Sequence, residues 1–72
     1  MESVDFDLRS ETITLDALLK ATGVVPSGGA AKILIVAGGV LVNGEPESRR
    51  GRKLRAGDEV ALGESRWRLR AA

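Results

Sequence analysis

The chain has 72 residues, 43% of them hydrophobic, with nine glycines, no cysteine and no histidine. This is one domain's length, able to bury roughly 60% of the surface its unfolded chain exposes; disulfide frameworks and thiolate metal sites are excluded, and a zinc site would need carboxylates alone. The net charge is +1, yet residues 1–47 hold three cations against seven acids and residues 48–72 hold eight against three, so −4 faces +5 along the chain.

That asymmetry suggests a polyanion partner, because a concentrated basic patch gains from counterion release; the plainer reading is a solvated loop and strand face. No early stretch joins basic residues to an apolar run, so a secretory signal is not expected. The longest apolar run, residues 33–37, is far too short to span a bilayer. A soluble cytoplasmic protein without a membrane partner is the expectation.

In chain order, Val4, Phe6 and Leu8 alternate with Asp5, Asp7 and Arg9, the period of a half-buried strand. Leu15, Leu18 and Leu19 follow at i, i+3 and i+4, the apolar stripe of a short helix. Thr14 suits its N-cap, and Ile13 and Leu18 then hold the positions of a hydrophobic staple. Asp16 in the first turn and Lys20 in the last both favour the helix dipole, and Gly23 suits the left-handed residue that ends a helix.

Pro26 and Ser27 open a second segment with Ser27 as N-cap. As a helix it buries Ala31, Leu34, Ile35 and Gly38 and points Lys32 outward. As a strand it uses the β-branched run at 33–36 with Gly38-Gly39 as a hairpin turn; periodicity leaves both open. Val40-Leu41-Val42 followed by Asn43-Gly44 reads as a strand and a tight turn, and Pro46 confines the return strand to an edge. Residues 47–53 form a basic loop. Leu54 precedes a turn at 55–58, Val60 and Leu62 alternate as a strand, residues 63–65 turn, and Trp67 and Leu69 alternate with Arg66, Arg68 and Arg70 in a final strand. No repeat, low-complexity segment or linker divides the chain.

Catalysis is not expected. Histidine, cysteine and tyrosine are absent, and Ser10, Ser27, Ser48 and Ser65 have no evident base to activate them. The strongest functional candidate is the loop, where Arg49, Arg50, Arg52 and Lys53 crowd four cations into five residues around a pliant Gly51. Guanidinium groups bind phosphate bidentately and lysine acts as a point charge. A second candidate is the start of the second helix, where Gly28 and Gly29 after Ser27 leave bare backbone amides suited to phosphate; the alternative is that the glycines allow close packing. The Arg66, Arg68 and Arg70 stripe either extends a phosphate surface or, if the last strand lies beside the first, meets Asp5 and Asp7. Trp67, in phase with Leu69, is expected in the core rather than stacked on a base.

The run Leu15-Asp16-Ala17-Leu18-Leu19, Gly23, residues 27–32, Gly38-Gly39-Val40-Leu41-Val42-Asn43-Gly44 and Arg55-Ala56-Gly57-Asp58-Glu59-Val60 resembles the RNA-binding domain named after ribosomal small-subunit protein four, the S-four domain. The resemblance covers about residues 13–62 and looks most like the small stand-alone bacterial members. It implies that residues 27–37 are a helix packed on the first. The expected fold is thus α+β: residues 1–72 as a single small domain, with two short packed helices against a mainly antiparallel sheet of four to five strands. It also implies RNA binding by the helix pair and adjoining loop, without a cofactor, by a monomer whose partner is structured RNA, ribosomal or transfer, on the ribosome or off it. Many S-four domains carry a basic pair directly after the serine cap; here Gly28 and Gly29 stand there. Binding then rests on Lys32, the helix start, and Arg49, Arg50, Arg52 and Lys53.

Two other readings compete. A sulfur-carrier-like β-grasp protein shares the Val-Asn-Gly-Glu and Gly-Asp-Glu-Val blocks, but the chain ends Arg70-Ala71-Ala72 where such carriers need Gly-Gly. A protein–protein adaptor in ribosome assembly would use an apolar patch around Ile33 or Val36.

Overall fold

The computed structural model describes residues 2–71, in the order β1 (Glu2–Asp7), β2 (Ile13–Thr14), α1 (Leu15–Ala21), α2 (Gly28–Val36), β3 (Val40–Val42), β4 (Glu45–Pro46), β5 (Lys53–Leu54), β6 (Glu59–Leu62) and β7 (Ser65–Arg70). Five strands form one sheet in the order β1-β7-β6-β3-β4, and β2 pairs with β5 in a separate two-stranded ladder. All pairings are antiparallel except β1 with β7. The architecture is the expected α+β domain, and the domain limits at residues 1 and 72 lie outside the described residues. No described helix is long and apolar enough to cross a membrane.

Period two explains the sheet. Val42, Val60 and Trp67 lie side by side across β3, β6 and β7, all buried against the helices, with Leu69 one step further along. The same row continues to Val4 on the edge strand β1, which is 54% exposed. Leu15, Leu18 and Leu19 of α1 and Ala31 and Ile35 of α2 are buried in the same core, with Ile13, Phe6 and Leu34 partly buried against it. Trp67 is thus a core residue.

Helix, not strand, is the state of residues 28–36. Ser27 sits extended and its Oγ accepts from the Ala30 amide at 3.2 Å. Gly38 is not on the buried face; it takes a left-handed φ of 83° one residue beyond the C-cap, and its amide donates to the Ile35 carbonyl. A 3.6-residue stripe extended past Ile35 reaches position 38, but the chain has already left the helix there. Gly23 ends α1 with φ 80°, as its position suggests.

The two sequence blocks that carry the family resemblance are bound to each other. Asn43, at φ 52°, donates through Nδ2 to Asp58 Oδ1 and accepts the Glu59 amide on Oδ1, while Asp58 Oδ2 accepts the Arg55 amide. The β3–β4 turn and the 55–58 turn therefore hold one another in place. Asn43→Gly keeps the φ but loses both side-chain bonds, and should cost about 1–2 kcal/mol; Asn43→Ala adds left-handed strain of about 1 kcal/mol more. Urea denaturation of the two variants should show that ranking.

On the outer face the arginine stripe is neutralised, though not as expected. Only Arg70 meets Asp7 (2.7 Å) and Asp5 (3.4 Å), and its guanidinium is held above its ordinary pKa by the bond to Asp7. Arg66 and Arg68 turn to Glu59 at 3.5 and 3.4 Å instead, because Glu59 stands directly opposite Arg68 on the antiparallel neighbour.

Candidate nucleic-acid interface

The basic loop begins where β4 ends. Glu47 continues the edge pairing, its amide donating to the Val40 carbonyl at 3.0 Å. Its side chain, 8% exposed, turns back under the loop. There it accepts the Arg49 amide (3.1 Å), Arg49 Nε (3.1 Å), Arg49 Nη2 (3.3 Å) and Arg52 Nη1 (2.8 Å). The bonds from Arg49, then from Arg52, hold the carboxyl down at a pKa of about 2, and the same contact raises that of Arg49. A folded pKa below the ordinary carboxylate value favours the folded state above the ordinary range. That contribution is lost as pH falls through 2.

The far side of the loop is tied to α1. Thr14 holds the N-cap position, but its side chain makes no capping bond. Instead the Leu15 amide donates to the Arg52 carbonyl at 2.9 Å and the Asp16 amide to the Arg50 carbonyl at 3.0 Å. Two of the donors that a helix start leaves orphaned are thereby satisfied by the loop backbone. Pairing of β2 with β5 sets Lys53 opposite Thr14 and buries Leu54 against the core.

The four loop cations therefore fall into two pairs. Arg49 and Arg52 lie on Glu47, although the Arg49 side chain is still 74% exposed. Arg50 and Lys53 are exposed and have no carboxylate within 4 Å among the described residues. Arg50 projects from a backbone bonded to α1, and Lys53 from a strand. Arg55, exposed beyond Leu54 and also without an ion pair among the described residues, adds a cation that the candidate set leaves out.

At the start of α2, Lys32 points outward as expected. Nothing lies within 4 Å of a side chain built at Gly28, and only Ser27 Oγ (3.8 Å) near one at Gly29. Close packing within the chain is thus not why glycines stand there. Ser27 Oγ is engaged with Ala30, and the Gly28 and Gly29 amides have no acceptor among the described residues. No hydrogen bond or ion pair joins the start of α2 to the loop among the described residues; each is connected to α1, one by helix packing and the other by backbone bonds. No group of three or more acidic side chains that could hold a metal ion occurs among the described residues.

Sequence reasoning missed Glu47. The signal is in the sequence, an acid two residues before Arg49 and five before Arg52, but charge alone does not tell a buried partner from a run of free cations.

Comparison with known proteins identifies a family and a relative. The family model of the S4 domain matches residues 6–70, a span that extends beyond the 13–62 motif to take in the end of β1 and all of β7. A protein of Bacillus subtilis (strain 168) described as a probable ribosome maturation protein, RlbA, is 51% identical over 53 residues, covering 74% of this chain and 75% of that protein.

Proposed function

The chain belongs to the S4 domain family, and from that premise we propose that it is a non-catalytic protein that grips structured RNA by its backbone phosphates. Exposed Arg50 and Lys53, without a carboxylate partner among the described residues and each rooted on hydrogen-bonded backbone beside the first helix, carry this reading. Arg49, Arg52 and Lys32 add charge, and Ser27, Gly28 and Gly29 offer open amides for a further phosphate. The RNA is ribosomal or transfer RNA, recognised by shape as base-paired RNA generally is. Similarity to the Bacillus subtilis probable ribosome maturation protein supports a role with the ribosome. Such a protein acts in the bacterial cytoplasm and needs neither a cofactor nor a second copy of itself. The absence of histidine and cysteine from the sequence supports the non-catalytic reading.

The test is binding of the protein to a ribosomal RNA stem-loop and to a transfer RNA across a salt series. Affinity that falls steeply and linearly on a log–log plot is the expected result. Absence of binding at low salt would remove these RNAs from consideration. The adaptor reading, favoured by Ile33 at 71% and Val36 at 62% exposure, would then take their place.

A further inference from the structure

We infer that Glu47 is a positioning residue for RNA binding: buried beneath the basic loop, it holds the Arg49 and Arg52 guanidinium groups in a preset fork aimed at phosphate. This rests on the reading of the protein as an RNA binder and assigns a role within it to an acidic side chain.

An acid inside a phosphate-binding loop opposes the ligand on charge alone. Its persistence as a buried carboxylate with four hydrogen bonds, all from Arg49 and Arg52, points to a different task. Arg49 commits Nε and Nη2 and Arg52 commits Nη1, so each guanidinium keeps further N–H donors for an incoming oxygen. The loop is anchored at both ends as well, through the Glu47 amide on Val40 and the Arg50 and Arg52 carbonyls on α1. Free arginines lose rotamer freedom when they meet phosphate; arginines already held by a carboxylate have lost it on folding. The bonds from Arg49 and Arg52 lower the Glu47 pKa to about 2, so the acceptor of the fork carries its charge throughout the neutral range.

The two views of Glu47 predict opposite signs for Glu47→Gln. If only charge matters, removing an acid beside the ligand tightens RNA binding. If Glu47 positions the fork, affinity falls about tenfold with the salt slope unchanged, since every cation is still present. Amide hydrogen exchange on the protein without RNA supplies a second readout. The Leu15 and Asp16 amides, which donate to the loop carbonyls, should exchange faster in Glu47→Gln, whereas the Leu69 amide on β7, bonded to the Asp58 carbonyl, should keep its protection. Glu47→Asp keeps the charge at shorter reach and should fall between parent and Gln; it takes over the test if Glu47→Gln does not fold, with loosened Leu15 and Asp16 amides and weaker binding expected. Binding by either variant as tight as the parent's, or unchanged exchange at Leu15 and Asp16, overturns the inference. A parent that binds neither the ribosomal stem-loop nor the transfer RNA overturns the RNA-binding reading and the phosphate role of the fork with it. The exchange experiment then decides separately whether Glu47 orders the loop.

Discussion

Replacing Arg50 and Lys53 together by alanine should lower affinity for structured RNA by roughly one to two orders of magnitude at low salt, and flatten the log–log salt slope by about 2. The two side chains are the loop cations without a carboxylate partner among the described residues, so each is available to displace a counterion from phosphate. Neither substitution touches the core: both side chains are exposed, and the backbone bonds at Arg50 and Lys53 survive truncation to alanine. The matched control is Arg66→Ala with Arg68→Ala. It removes the same formal charge, but from residues already paired with Glu59 on the outer face of the sheet. That control should leave the slope nearly unchanged. Equal losses from both double variants would mean that RNA responds to overall charge and not to the loop.

Leu54→Ala should cost about 3 kcal/mol, within the usual range for deleting a fully buried leucine. Leu54 has no exposed surface, pairs with Ile13, and ends the basic loop by plugging it into the core. A domain of this length has a total stability of roughly 4–11 kcal/mol, so a loss of that size should lower Tm by roughly 10–25 °C. Ile33→Ala, a similar truncation at a side chain 71% exposed, should change stability by less than about 0.5 kcal/mol. Calorimetry on the two variants measures the difference, and a Leu54→Ala shift of only a few degrees would show that the loop is not anchored through this side chain.

Those two predictions draw on residues of unequal legibility. Local chemistry was readable. Ser27 caps α2 because an extended serine oxygen reaches the third amide onward, Gly23 ends α1 because it tolerates a left-handed φ, and Asn43-Gly44 turns because both residues do. Alternation put Trp67 and Leu69 inside and the arginines outside for the same local reason.

What depended on distant partners was not readable. Thr14 had the right identity for a cap, but the carbonyls of Arg50 and Arg52, more than thirty residues away, occupy the helix start. Alternation sets Arg66 and Arg68 on the face of the β1 carboxylates but does not reveal that Glu59 on β6, the neighbour on the other side of β7, is their partner. The loop's charge was legible as a sum and not as a distribution, because burial of Glu47 depends on the edge pairing that carries it beneath the arginines.

The parallel pairing of β1 with β7 has a mechanical consequence. Glu2 lies beside Ser65 and Asp7 beside Arg70, so the chain enters the sheet at one end of this ribbon and leaves it at the other. Tension applied through the two termini pulls the strands lengthwise past each other. Their evenly spaced hydrogen bonds and the Arg70 contacts to Asp5 and Asp7 then bear the load together instead of opening one at a time. Resistance to such pulling follows the unfolding rate under force and not the equilibrium stability. A small domain with a modest core can therefore withstand threading or traction from its ends better than its heat tolerance suggests, while a pull applied across the β3–β4 turn would peel the edge open with little resistance.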